Sequence, residues 1–149
     1  MPRIRCSIRA LFSRKPFPFV TFFVRTLHIS KPVDALIDTG SPFTVLSTND
    51  ILSTRMPISK MQSGETVQLA GHRFFNHQIK NVTMNFRTES DELFKVNLPT
   101  IGSLIPTKID KKTMDEVKAI PSIIGNGFLE DQKLALYFNP SARVVYVEY

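Results

Sequence analysis

Among its 149 residues the chain has one cysteine, no tryptophan and six glycines. A lone Cys6 excludes an intrachain disulfide, so the fold must rest on its core, and a reducing, cytoplasmic setting is expected. The scattered glycines leave no glycine-rich phosphate loop. There is no long hydrophobic run either. The longest one near the amino terminus, Phe17–Val24, contains Pro18 and Thr21 and falls far short of the roughly 20 residues of a membrane helix. His28, His72 and His77, taken with Cys6, show no metal-ligand spacing, so neither a metal nor an organic cofactor is expected. No His or Lys stands near Ser41 in a nucleophile pattern, which argues against a serine mechanism. Internal repeats and low-complexity segments are missing too.

What is present suits a single β-rich domain. The length accommodates one real core. Hydrophobic residues make up 42 % of the chain, and twelve phenylalanines with many Val and Ile favour strands. The net charge of +6 is confined to one end. Residues 1–37 hold seven basic side chains and one acid, Asp34, which leaves 12 basic and 12 acidic residues beyond them. Such a patch suits a solvated strand face, and it also suits contact with nucleic acid or an anionic membrane. Residues 1–16 lack acids, as transit peptides do. Yet Ile4, Cys6, Ile8 and Ala10 alternate with Arg3, Arg5, Ser7 and Arg9, the period of a strand. We divide the chain into a basic amino-terminal strand or extension, 1–16, and a domain, 17–149. The opening Met1 suggests a free-standing product.

Strands are expected over 3–11, 19–26, 33–38, 44–47 and 93–101, with turns at 13–18 and 30–32. Residues 48–64 read as polar loop. Thr66–Ala70 and Phe74–Phe86 alternate on either side of Gly71-His72, as a long hairpin does. A surface helix is predicted at about 108–119, starting from Thr107 with Asp110 three residues on, and ended by Pro121. A short strand at 123–125, a helical turn at 126–131 and a closing hairpin, 134–138 with 143–149, complete the pattern.

One segment carries chemistry. Ala35-Leu36-Ile37-Asp38-Thr39-Gly40-Ser41 puts a carboxylate directly after three apolar strand residues, where burial is costly unless the site satisfies it. Gly40 permits a tight turn. By itself, Asp-Thr-Gly is equally a strand ending in an Asx turn. The longer run through Pro42-Phe43-Thr44-Val45-Leu46-Ser47, however, resembles the active-site segment of the retropepsin-like aspartic proteases. About 80 residues later, Pro121-Ser122-Ile123-Ile124-Gly125-Asn126-Gly127-Phe128-Leu129 is similar to that family's second signature. The hairpin around Gly71 lies between the two, where the family has its flap. The resemblance covers residues 17–149.

The resemblance implies a mainly β, closed retropepsin-like barrel with a short helix near the carboxy-terminal motif. It implies Asp38 as the catalytic carboxylate, Thr39 and Gly40 as the active-site loop, and Ser41 with the flap-tip residues Ala70, Gly71 and His72 at the substrate. Ser41 would hydrogen-bond the outer oxygen of Asp38, and Thr39 hydroxyls would lock two copies together. Retroviral members carry an acidic residue two positions after the Gly, paired with an Arg after the second motif. Here Pro42 and Asn126 stand in those places, so both partners of the pair are absent. Peptide hydrolysis by this route needs two carboxylates sharing one proton. The chain has one Asp-Thr-Gly, so the expected species is a homodimeric endopeptidase acting on a peptide or protein. The alternative is a non-catalytic dimerisation or peptide-binding module with a basic face for a polyanion.

Overall fold

A computed structural model of the protein describes residues 2–11 and 14–149. The described residues are mainly β, with three short α-helices among them. Strand β1, Arg3–Leu11, leads to β2, Lys15–Arg25, and β3, Ser30–Asp38. A two-residue β4, Val45–Leu46, precedes α1, Thr48–Leu52, and a 3-10 turn at Ile58–Lys60. Then come β5, Glu65–Leu69, and the long antiparallel pair β6, His72–Arg87, and β7, Leu93–Pro106. Helix α2, Lys111–Val117, β8, Ser122–Gly125, and α3, Asn126–Asp131, follow. The hairpin of β9, Ala135–Asn139, and β10, Val144–Glu148, ends the chain.

All ten strands join one sheet in the order β5-β6-β7-β4-β8-β3-β2-β1-β10-β9. A further antiparallel pairing between β6 and β2 links Phe22 to Phe86 and Arg25 to Thr83. The strands from β6 through β2 therefore form a ring of pairings around the core. That core stacks aromatic rings from distant segments, with Phe86 lying 5.3 Å from Phe22 and 5.9 Å from Phe128. All three are buried. Each contributes about 1.5–3 kcal/mol by leaving water, a sum that opposes the entropy of ordering three distant segments. In β3 the period is plain: Val33, Ala35 and Ile37 are buried, whereas Asp34 is exposed and Leu36 and Asp38 are half-buried. A second apolar cluster, of Val45, Phe74, Leu104, Val117, Ile120 and Ile123, sits under α2.

Several boundaries differ from expectation. Residues 30–32 belong to β3, and the turn falls at 26–29. There the Thr26 hydroxyl accepts from the backbone N–H groups of His28 and Ile29, and the Thr26 N–H donates to the Ile29 carbonyl at 2.8 Å. Pro16 and Pro18 lie within β2, opposite Ala10 and Ile8. Of the turn expected at 13–18, Ser13 lies outside the described residues. Helix α2 is capped by Asp110, which accepts from the Thr113 N–H at 3.0 Å, and not by Thr107. Thr107 is held back on the sheet by its N–H to the Arg73 carbonyl. The polar stretch 48–64 contains α1, capped by Ser47. The basic amino-terminal residues form β1, which pairs with both β2 and β10. Among the described residues no helix is long and apolar enough to cross a membrane.

Candidate active site

Two segments 80-odd residues apart meet at the end of β3. β3 runs parallel to β8, with Ile37 opposite Ile124 and Asp38 opposite Gly125. Past Asp38 the chain turns tightly: the Ser41 N–H donates to the Asp38 carbonyl at 3.1 Å, and the Gly40 N–H donates to Asp38 Oδ1 at 3.0 Å. The loop is then tied to the second segment. Asn126 N–H donates to the Ser41 carbonyl at 2.7 Å, and Gly125 N–H donates to Thr44 Oγ1 at 3.0 Å. A side chain on Gly125 would sit 2.3 Å from the Phe43 carbonyl oxygen and 2.6 Å from that of Ser41, so only glycine lets the loop lie this close.

Asp38 is half-buried and opens to two clefts. One, of about 250 Å³, lies under the β5–β6 hairpin and is walled by Val45, Val67, Leu69, Leu104 and Ile123. The other, beside Asp38 and Thr39, is lined by Phe17, Leu36, Leu136 and Phe138. Thr39 is exposed, and its hydroxyl bonds to none of the described residues. Ser41 lines the first cleft, but its hydroxyl bonds to the Phe43 backbone, N and O both at 3.2 Å. The expected Ser41 bond to the Asp38 carboxylate is therefore absent. The reason is local: a serine two residues before an available N–H closes its own turn.

The hairpin over the cleft turns on Ala70 and Gly71, whose φ angles of 51° and 79° are the left-handed pair of a two-residue type I′ turn. Leu69 and His72 close it. Gln68, Leu69 and Val67 reach the cleft, whereas the tip residues Ala70 and Gly71 are exposed. His72 does not face Asp38. Its Nε2 lies 3.0 Å from a Glu116 carboxylate oxygen on α2, and its ring meets Phe74 edge-on, so the tip end of the hairpin is docked on that helix.

The groups that support the loop are not evident from sequence reasoning. The Asp50 carboxylate receives the Lys31 ammonium at 2.8 Å on one oxygen, and the hydroxyls of Ser122 and Ser47 on the other. Ser122 in turn accepts from the Ser47 N–H at 2.7 Å. β3, β8 and the start of α1 are thus pinned by one side chain. Ser47 three residues ahead of Asp50 is a readable helix-start signal; the partners Lys31 and Ser122 have none. Asn76, which also lines the cleft, carries no sequence signal. Among the described residues no three His, Cys, Asp or Glu side chains gather as metal ligands. Burial pushes the Cys6 thiol up to about 12, with an opposing contribution from the Val147 backbone and a smaller raising one from Glu89, so it is an inert thiol. No protein-family model matches the chain, and no curated protein matches its sequence significantly.

Proposed function

We propose that the protein is a retropepsin-like aspartic endopeptidase, its sheet ring the closed barrel of that fold, active as a homodimer in which Asp38 of each copy contributes one carboxylate. The observation that carries this reading is the in-register parallel pairing of Asp38 with Gly125, which joins the two sequence motifs beneath a hairpin. One chain supplies one such carboxylate. A two-fold axis beside Thr39 would bring in the second. The apolar cleft of Phe17, Leu36, Leu136 and Phe138 on that side, and the unpaired edge of β9, offer surface for the partner copy.

In the dimer, two like charges held close cannot both ionise, so the pair shares a proton. The ionised carboxylate draws a proton from a water molecule, and that water attacks the scissile carbonyl carbon. The protonated partner donates to the carbonyl oxygen. The Gly40 N–H holds Asp38 Oδ1, which orients the carboxylate. The β5–β6 hairpin closes over an extended peptide, excludes water and offers strand-like backbone bonds.

The rival, a polyanion-binding module, is weakened by the basic strand's own pairings. Arg3, Arg5, Arg9 and Lys31, four of the seven bases in residues 1–37, already face Glu148, Asp91, Asp34 and Asp50. The decisive experiment combines sizing in solution with a peptide-library cleavage assay across acidic to neutral pH. Dimers that cleave, and an Asp38→Asn dimer that does not, support the protease. A strict monomer, or cleavage unchanged by Asp38→Asn, sinks it.

A further inference from the structure

Strand β1 is paired along only part of each edge. Over Arg3–Arg5 it pairs with β10 on one edge, and over Cys6–Leu11 it pairs with β2 on the other. The pairing with β10 stops at Arg5 opposite Tyr146, although β10 extends past that point through Val145 and Val144. From Cys6 onward, the β1 edge toward β10 has no strand partner among the described residues. The two strands open as a wedge around a cleft of about 790 Å³. Ser7, Ile8 and Ala10 line it from β1, and Val144 and Val145 from β10. A row of backbone N–H and C=O groups left unpaired in this way is a template for another strand.

The rim of the wedge is basic. Arg3 lies at its closed end, and Arg14 and Arg143, in the turns that follow β1 and precede β10, lie at its open end. Against these three, Glu89 is the one carboxylate among the described lining residues. Arg3 already faces Glu148 at 3.5 Å. Arg14 and Arg143 are exposed and form no ion pair among the described residues.

We propose that this wedge is a docking site for an extended acidic segment of a partner protein, which adds as a strand to the free edge of β1 with its carboxylates on Arg14 and Arg143. In strand addition the main-chain bonds give affinity and the side chains give selectivity. Charge complementarity selects the acid-bearing segment. A nucleic acid fits less well. Its phosphates accept hydrogen bonds but donate none, whereas a strand edge needs both. The aromatic ring of the lining, Tyr146, is also already covered, by the Arg3 guanidinium at 3.8 Å and by Tyr137 stacked at 5.0 Å. None of the lining residues belongs to either cleft beside Asp38, so the wedge is separate from the candidate active site.

The test titrates a short labelled peptide of alternating Glu and Val into the wild-type and Asp38→Asn proteins. Its controls are the same peptide with Lys for Glu, the Glu peptide interrupted by prolines, and an oligothymidylate. The Glu peptide should bind both proteins, and the Lys peptide and the oligothymidylate should bind neither. Prolines remove N–H donors without changing the charge, and should weaken binding about tenfold or more. Arg14→Glu combined with Arg143→Glu should weaken the Glu peptide about tenfold, since one exposed ion pair is worth roughly two- to fivefold. Both arginines are exposed, so the double variant should melt with the wild type. Binding that ignores the prolines or the arginines overturns the inference, as does a preference for the oligothymidylate or no binding at all. A dimer in solution that the double variant dissociates, with no Glu peptide bound, also overturns it, because a second copy then fills the wedge. Cleavage by the wild-type protein decides the endopeptidase reading separately.

Discussion

Asp38 and Asp50 lie twelve residues apart and differ in how much of their hydrogen-bonding capacity is used. Asp50 receives an ammonium and two hydroxyls, and its own N–H closes onto Ser47 at 3.1 Å. Asp38 receives one backbone N–H, at 3.0 Å, and faces open clefts on two sides. A carboxylate can accept about four hydrogen bonds. Asp50 uses most of that capacity to hold three elements together, whereas Asp38 retains most of it. A carboxylate with spare capacity at the bottom of a cleft is free to meet a water molecule, a substrate or a second carboxylate; a saturated one is structural. The single bond Asp38 does make comes from its own turn and aims the group without exhausting it.

Substitutions can break that contrast. Asp38→Asn should lower peptide cleavage by several orders of magnitude, since it removes a group that acts as a unit with its partner. The same change should leave thermal stability nearly unaltered, because the Gly40 N–H can still donate to the amide oxygen. A melting curve shifted as far as that of the Asp50 variant would make Asp38 structural too. Gly125→Ala places a carbon against two loop carbonyls. It should cost about 1–3 kcal/mol or more in chemical denaturation and distort the Asp38 turn, so cleavage per folded molecule should fall as well. Asp50→Ala should cost about 2–4 kcal/mol, because it strands the half-buried Lys31 ammonium and the Ser122 hydroxyl. Any residual folded fraction should still cleave. If activity per folded molecule vanished, Asp50 would belong to the chemistry and the contrast would fail.

The smallest effect concerns a third carboxylate, Asp34. Hydrogen bonds from Arg9 and from Thr21, opposed by slight burial, hold its pKa below the ordinary value of 3.8. A lowered folded-state pKa contributes stability that is present above the unfolded value and lost as pH falls through the folded one. The pair is largely exposed, so Asp34→Asn should cost well under about 1 kcal/mol at neutral pH. The difference from wild type should fade in melts taken below pH 3.8.

Much of the fold is legible in the sequence. Period-two alternation locates β1 and the β5–β6 hairpin, a short apolar run closed by Thr39-Gly40 locates the second part of β3, and Gly71 marks the hairpin's turn because only left-handed φ closes a two-residue loop. Asp110 takes a different role from the one its spacing suggests, capping α2 itself where the pattern makes it the third residue of a box begun by Thr107. Both residues can cap a helix, and which one does depends on where β7 releases the chain, a matter of strand pairing. Pro32 reads as a breaker and so suggests a turn at 30–32. Opposite Phe23 it sits in a strand without difficulty.

By itself the sequence determined a β-rich chain with one cysteine, a basic first strand and one Asp-Thr-Gly at the end of an apolar run, because side-chain period, turn residues and motifs are local properties. Only the tertiary structure decided that Asp38 lies against Gly125, that Ser41 turns to Phe43, that His72 docks on Glu116, and that Asp50 joins β3, β8 and α1. Each of those depends on a partner distant in sequence or on a competing local bond. A hydrogen bond formed, or left unformed, between such groups has no signature until packing brings them within about 3 Å.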